Sequence, residues 1–173
     1  PVTKDAGAAL ASDAEAYVIA QMKANGTSAG TGAIATPAAA FAAVVTLRQA
    51  LGKALVPAGD RYLVVSPEFA SLLLAEGSKL TSADSAGTDG ELRNGVLGRL
   101  LGFTVIEHPL LTHTSNRPAA IAYHGPSVGY VGQIAKTEGG RMELAFADYI
   151  RSLNVYGAKV LRATSVQTYL PAS

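Results

Sequence analysis

The chain has 173 residues, the size of one ordinary domain, and 49% of them are apolar. That length suffices to bury roughly two thirds of the unfolded surface. Formal net charge is +1 and only 16% of residues are charged, with basic side chains scattered along the chain, so no electrostatic footprint for nucleic acid is legible. Cysteine is absent, which excludes disulfides, thiolate metal sites and a cysteine nucleophile.

Taken in order, apolar residues at Leu10, Ala14, Tyr17, Val18 and Met22 recur at three-and-four spacing and predict a helix from Asp5 to Asn25, stopped by Gly26. The run Thr27 to Gly32 has the composition of a flexible link. Thr36 followed by Pro37 is a helix-start signal, because the hydroxyl can accept from an orphan amide and proline suits the first turn. The second helix carries Phe41, Val44, Val45 and Leu51 inward and is expected to end near Leu55, ahead of Pro57 and Gly59.

Tyr62 to Val65 is an unbroken apolar run bounded by turn residues, the pattern of a strand covered on both faces. Ser66-Pro67-Glu68 then supplies a cap, a preset backbone angle and a carboxylate that suits the helix dipole, so a third helix begins there and buries Phe69, Leu72 and Leu73. Glu76 to Gly90 reads as a surface loop. Strands are expected from Phe103 and over Ala119 to Tyr123, separated by a loop from His108 to Pro118. Ile134 to Leu170 alternates in strand fashion, with breaks at Gly139-Gly140, Gly157 and around Thr164, predicting several antiparallel strands. Helices fill the first half and strands the last third, the signature of an α+β fold.

Chemistry is thin. Gly125-Pro-Ser127-Val-Gly129 matches the G-x-S-x-G elbow, in which a serine sits on a sharp strand-to-helix turn. Hydrolases with that elbow place the histidine after the serine, whereas His108, His113 and His124 all precede Ser127. A plain strand-to-helix turn is the simpler reading. The histidines do not share a helix face and have no accompanying carboxylate pair, so they are read as loop residues and no metal is expected. Asp84, Asp89 and Glu91 lack the alternating ligand spacing of a calcium loop. Gly95, Gly98 and Gly102 precede a strand instead of joining a strand to a helix, which makes them backbone punctuation and not a phosphate cradle. Asn25-Gly26-Thr27 is formally a glycosylation acceptor but reads as the turn ending the first helix. Arg48 and Lys53 read as solvated. The sequence thus names no catalytic, cofactor-binding or metal residue. No window reaches the roughly 18 apolar residues that a spanning helix needs, and the pattern reads as a soluble protein without membrane contact.

Several segments, in this order, resemble the major capsid proteins of tailed bacteriophages. They are Ala8 to Tyr17; Leu55-Val-Pro57 with Arg61 to Phe69; the turn Leu92-Arg-Asn-Gly-Val-Leu-Gly-Arg-Leu-Leu-Gly-Phe103; Ala120 to His124; Phe146 to Ile150; and Val155 to Val160. The resemblance implies the Hong Kong 97-like phage capsid fold, with residues 1–32 and 133–163 in a peripheral lobe and 33–132 and 164–173 in an axial lobe. It implies a non-enzymatic subunit that assembles with itself into pentamers and hexamers around a genome, with scaffolding, portal or decoration proteins as partners and only weak contact with packaged DNA. The virion is the implied location, with assembly in the host bacterial cytoplasm. Family members carry an N-terminal arm and an extended hairpin before the first helix; here the chain begins at Pro1, near that helix, and reads as a trimmed or processed core. An encapsulin-type compartment shell shares the same logic, and a small serine hydrolase using Ser127 is the alternative from another class.

Overall fold

The computed structural model describes residues 2–75, 96–111, 117–141 and 148–171. Helices and strands mix as expected for an α+β chain. Helix α1 spans Val2–Asn25, followed by strand β1, Thr27–Gly30. Helix α2 (Pro37–Lys53), strand β2 (Arg61–Val65) and helix α3 (Pro67–Leu74) come next. Strands β3 (Val96–Leu100), β4 (Phe103–Glu107) and β5 (Ala120–His124) are short. Strands β6 (Val128–Arg141) and β7 (Asp148–Val160) are long, and β8 (Val166–Tyr169) closes the series.

Six strands form one sheet in the order β1-β8-β5-β2-β4-β3, so β2 is central, as its apolar run predicts. It pairs parallel with β4 and antiparallel with β5. Because side chains alternate across a strand, Leu63 and Val65 face α2 and α3 while Val64 faces α1. The first core joins Val44, Leu47, Leu51, Phe69, Leu73 and Phe103. The second, on the opposite face, joins Ile19 and Met22 of α1 to Val64, Ile121 and Val166. Three layers result, and Ala120 and Ala122 of β5 leave room for the larger neighbours Val65 and Leu63.

Local signals explain most boundaries. The Thr36 hydroxyl accepts from the Ala39 N–H at 3.2 Å and starts α2. Helix α2 ends at Lys53, two residues before the expected limit. There the Leu55 N–H donates to the Gly52 carbonyl (3.0 Å) and the Val56 N–H to the Leu51 carbonyl (3.1 Å), closing the last turn. Leu55 occupies the left-handed position of that motif at φ 55° and is exposed.

Five expectations are corrected. Thr27 to Gly30 is a strand paired in parallel with β8, because β8 offers an open edge there. The glycine-spaced segment before Phe103 is itself strand β3. It is bulged at Gly98 and turned back by Leu101 and Gly102, whose positive φ values (52° and 86°) suit a two-residue hairpin. Neither Gly139-Gly140 nor Gly157 interrupts its strand; all three lie in a continuous β6–β7 ladder that starts at Val128 and is bulged only between Ile134 and Lys136. On α2, Val45 is exposed and Phe41 only half-buried, while Ala40, Ala43 and Leu47 take the inward positions. On α1, Ile19 is buried in place of Tyr17, because this helix serves two surfaces at once. The expected loop from Glu76 to Gly90 lies outside the described residues.

Candidate assembly surface

Strands β6 and β7 form a separate two-stranded ribbon, and α1 lies along it. Directly opposed residues share a face, so Tyr130, Gly132, Tyr156 and Ala158 line the side towards α1. The Tyr156 hydroxyl donates to an Asp13 carboxylate oxygen, and the Tyr17 and Tyr156 rings meet edge to face at 5.5 Å. That hydrogen bond is the main reason the Tyr156 phenol ionises later than an ordinary tyrosine. A second brace ties α1 to the large sheet. The His108 Nδ1 accepts from the Leu110 N–H at 3.2 Å, and Nε2 lies 3.3 Å from the Glu15 carboxylate. Between these braces a cleft of about 440 Å³ opens under α1, walled by Ala14, Val18, Met22, Val64, Tyr123 and Tyr130.

Among the described residues, the other face of the ribbon is uncovered. Val131 is 77% exposed, Leu153 58% and Val155 56%, clustered around Gly157 and flanked by the Arg151–Glu138 ion pair at 2.8 Å. A two-stranded ribbon is marginal alone, and an uncovered apolar face with long open edges is a template for association. Periodicity could have located this face, since β7 alternates cleanly between half-buried and exposed positions; the pairing of Asp13 with Tyr156 leaves no mark in the sequence.

The sequence-level candidates are placed as follows. Ser127 lies in a short 3-10 turn, Gly125–Ser127, that joins β5 to β6, so the segment connects strand to strand and not strand to helix. The elbow geometry is therefore missing. Ser127 is 5% exposed, and its carbonyl accepts from the Leu161 N–H at 2.8 Å. His124 ends β5 beside Arg61, whereas His108 follows β4 at the other end of the sheet, roughly 13 Å away for four residues of strand. His113, Asp84, Asp89, Glu91 and Gly95 lie outside the described residues. Among the described residues no cluster of histidines and carboxylates could hold a metal, and no helix is long and apolar enough to cross a membrane. Asn25 donates from its side-chain amide to the Gln21 carbonyl at 3.0 Å and finishes α1. Arg48 and Lys53 are exposed.

The sequence matches the family of phage capsid proteins over residues 2–168. The chain belongs to that family. A solved structure from Mycobacterium phage Che8 superposes with a TM-score of 0.83 at 37% identity, covering 97% of this chain and 61% of that one. A second, the capsid structure of the cyanophage P-SCSP1u, gives a TM-score of 0.70 at 15% identity over 99% of this chain and 65% of that one; at such identity it speaks for the fold alone. The phage capsid chain described here thus spans less than two thirds of the length of each. No curated protein matches it. In a member of this family the exposed ribbon face and the braced helix fall into place as parts of a structural protein.

Proposed function

We propose that the chain is the structural subunit of an icosahedral bacteriophage shell, forming pentamers and hexamers that enclose the genome. The observation that carries this reading is the family match over residues 2–168 together with 37% identity to a phage structure of the same fold. The geometry fits the task. Shells need many modest contacts between identical subunits, whose rotations close into rings and then into a surface, and this molecule offers an apolar ribbon face that is exposed among the described residues.

Within the Hong Kong 97-like fold, residues 1–32 and 133–163 form the peripheral lobe, with α1 bracing the β6–β7 ribbon. Residues 33–132 and 164–173 form the axial lobe around the six-stranded sheet. The subunit works in the virion after assembly in the host bacterial cytoplasm, with scaffolding, portal or decoration proteins as partners and weak, non-specific contact with packaged DNA. The phage likeness favours this reading over a compartment shell. Electron microscopy and light scattering of the full-length gene product, alone and with its scaffold, test the proposal. Closed particles with fivefold and sixfold capsomers are expected, and a product that stays monomeric under both conditions overturns it.

A further inference from the structure

The end of the large sheet where α2 stops and β2 begins gathers Arg48, Lys53, Arg61, Arg99 and Arg162. Arg162 donates to the Ala54 carbonyl, and Arg61 and Arg99 line a concavity of about 320 Å³ with Asp60 and Gly102. Asp60 is the one carboxylate among its lining residues. The Arg61 side chain is fixed in place, because its Nε donates to the Pro57 carbonyl at 2.7 Å and a terminal nitrogen donates to the Val56 carbonyl. Burial, and then the neighbouring Arg48, hold its affinity for a proton below that of an ordinary arginine. Arg99 makes no hydrogen bond or ion pair among the described residues and is exposed. At the opposite end of the same sheet, Glu107 closes β4 against Val65, and Glu68 opens α3 three residues beyond Val65. The carboxylates of Glu68 and Glu107 have no partner among the described residues.

We infer that the arginine concavity is a socket for the Glu107 and Glu68 end of a second copy of the chain, so that copies join head to tail through opposite poles of the six-stranded sheet. This rests on the shell reading above and names the contact that orients neighbours within a capsomer. Two features favour a carboxylate partner over a nucleic acid. The socket is a single concavity and not a stripe, and the whole chain is nearly neutral at +1. A guanidinium with its stem already pinned meets a carboxylate with little further ordering. Complementary poles on one molecule cannot satisfy each other, and a heterologous contact of this kind closes into rings.

The test uses the full-length product, with assembly followed by sedimentation against concentration and salt. Arg99→Glu, and separately the pair Glu68→Lys with Glu107→Lys, are each expected to raise the half-assembly concentration by about tenfold. The combined triple variant returns to within about threefold of wild type, because attraction is restored with the signs exchanged. Raising salt through the range that screens exposed charges weakens wild type and triple variant alike. Unfolding midpoints within two or so degrees of wild type (~2 °C) show that these exposed and half-exposed positions keep the fold. Single variants that assemble like wild type, or a triple variant no better than its parents, overturn the socket while leaving the shell reading intact. So does an Arg99→Glu protein that loses duplex-DNA retention in a gel shift with assembly unchanged, which would assign the pole to nucleic acid. A wild-type product that never assembles sinks the shell reading and this contact with it.

Discussion

Ser66 and Ala119 bind each other twice across a junction from which water is excluded. The Ser66 N–H donates to the Ala119 carbonyl at 2.9 Å, and the Ala119 N–H donates back to the Ser66 hydroxyl oxygen at 3.1 Å. The same oxygen accepts from the Phe69 N–H at 3.3 Å and so caps α3. One fully buried serine therefore ends β2, starts α3 and fixes where β5 enters the sheet.

Replacing it tests that triple duty. Ser66→Ala removes one acceptor and leaves two buried N–H groups without partners, which should cost about 2–4 kcal/mol, more than the ~1 kcal/mol of an ordinary cap. Ser66→Asp supplies oxygens but buries a charge and is expected to be no better. Chemical denaturation of both variants at neutral pH is the measurement. A loss no larger than that of Thr36→Ala, whose hydroxyl caps α2 at an exposed position, would show that the Ala119 bond carries no weight.

Elements specified by local chemistry were legible in the sequence. Thr36-Pro37 and Ser66-Pro67 start helices because the signal lies within three residues of the effect, and the apolar run at Tyr62 to Val65 marks a central strand because no other position buries both faces. Features that depend on distant partners were not. Thr27 to Gly30 has one strand-favouring side chain, Thr27, followed by three small residues, and becomes a strand because β8, some 140 residues on, presents an edge at Gln167 and Thr168. Glycines at 139, 140 and 157 looked like breaks, yet a long partner strand holds them in register. The family was visible in the order of segments, whereas the braces of α1 pair residues such as Asp13 with Tyr156 and Glu15 with His108 that no periodicity links.

Ser127 provides a chemical check. A strand-to-strand 3-10 turn gives its hydroxyl none of the exposure that an activated nucleophile needs, and the residue is 5% exposed. A fluorophosphonate probe is expected to leave the protein unlabelled at a tenfold or so (~10-fold) excess, and Ser127→Ala to behave identically to wild type towards the probe. Labelling that disappears in Ser127→Ala would restore the hydrolase alternative.

Two tyrosines should ionise late. Tyr123 is raised above its ordinary value of 10.0 by burial first and then by Tyr62, which stacks on it at 5.5 Å; Tyr156 is raised chiefly by its hydrogen bond to Asp13. Each phenol holds its proton more tightly in the folded chain than in the unfolded one. Their contribution to stability is therefore complete below the unfolded value and is lost as pH climbs through the folded value, so stability falls on the alkaline side above pH 10 or so (~10). Ultraviolet titration of the seven tyrosines should show a late fraction that shrinks in Tyr123→Phe and again in Tyr156→Phe. Seven phenols titrating together would contradict both assignments.

Opposite substitutions at two helix ends should change stability in opposite directions. Leu55 sits at φ 55° with its side chain 86% exposed, so the chain bears left-handed strain there and gains little burial in return. Leu55→Gly keeps the two closing hydrogen bonds of α2, removes the Cβ clash and should stabilise by about 1 kcal/mol, tempered by the greater freedom of glycine when unfolded. Gly26, at the end of α1, is the reverse case. A Cβ there would lie 2.6 Å from the Met22 carbonyl oxygen, 2.9 Å from Thr168 and 3.1 Å from Val166, and the first of these is backbone that cannot step aside. Gly26→Ala should therefore lose roughly 1–3 kcal/mol and loosen the contact between α1 and β8. Thermal unfolding of the two variants beside wild type reads both signs in one experiment, and a Gly26→Ala protein as stable as wild type would mean that α1 can shift on the sheet at little cost.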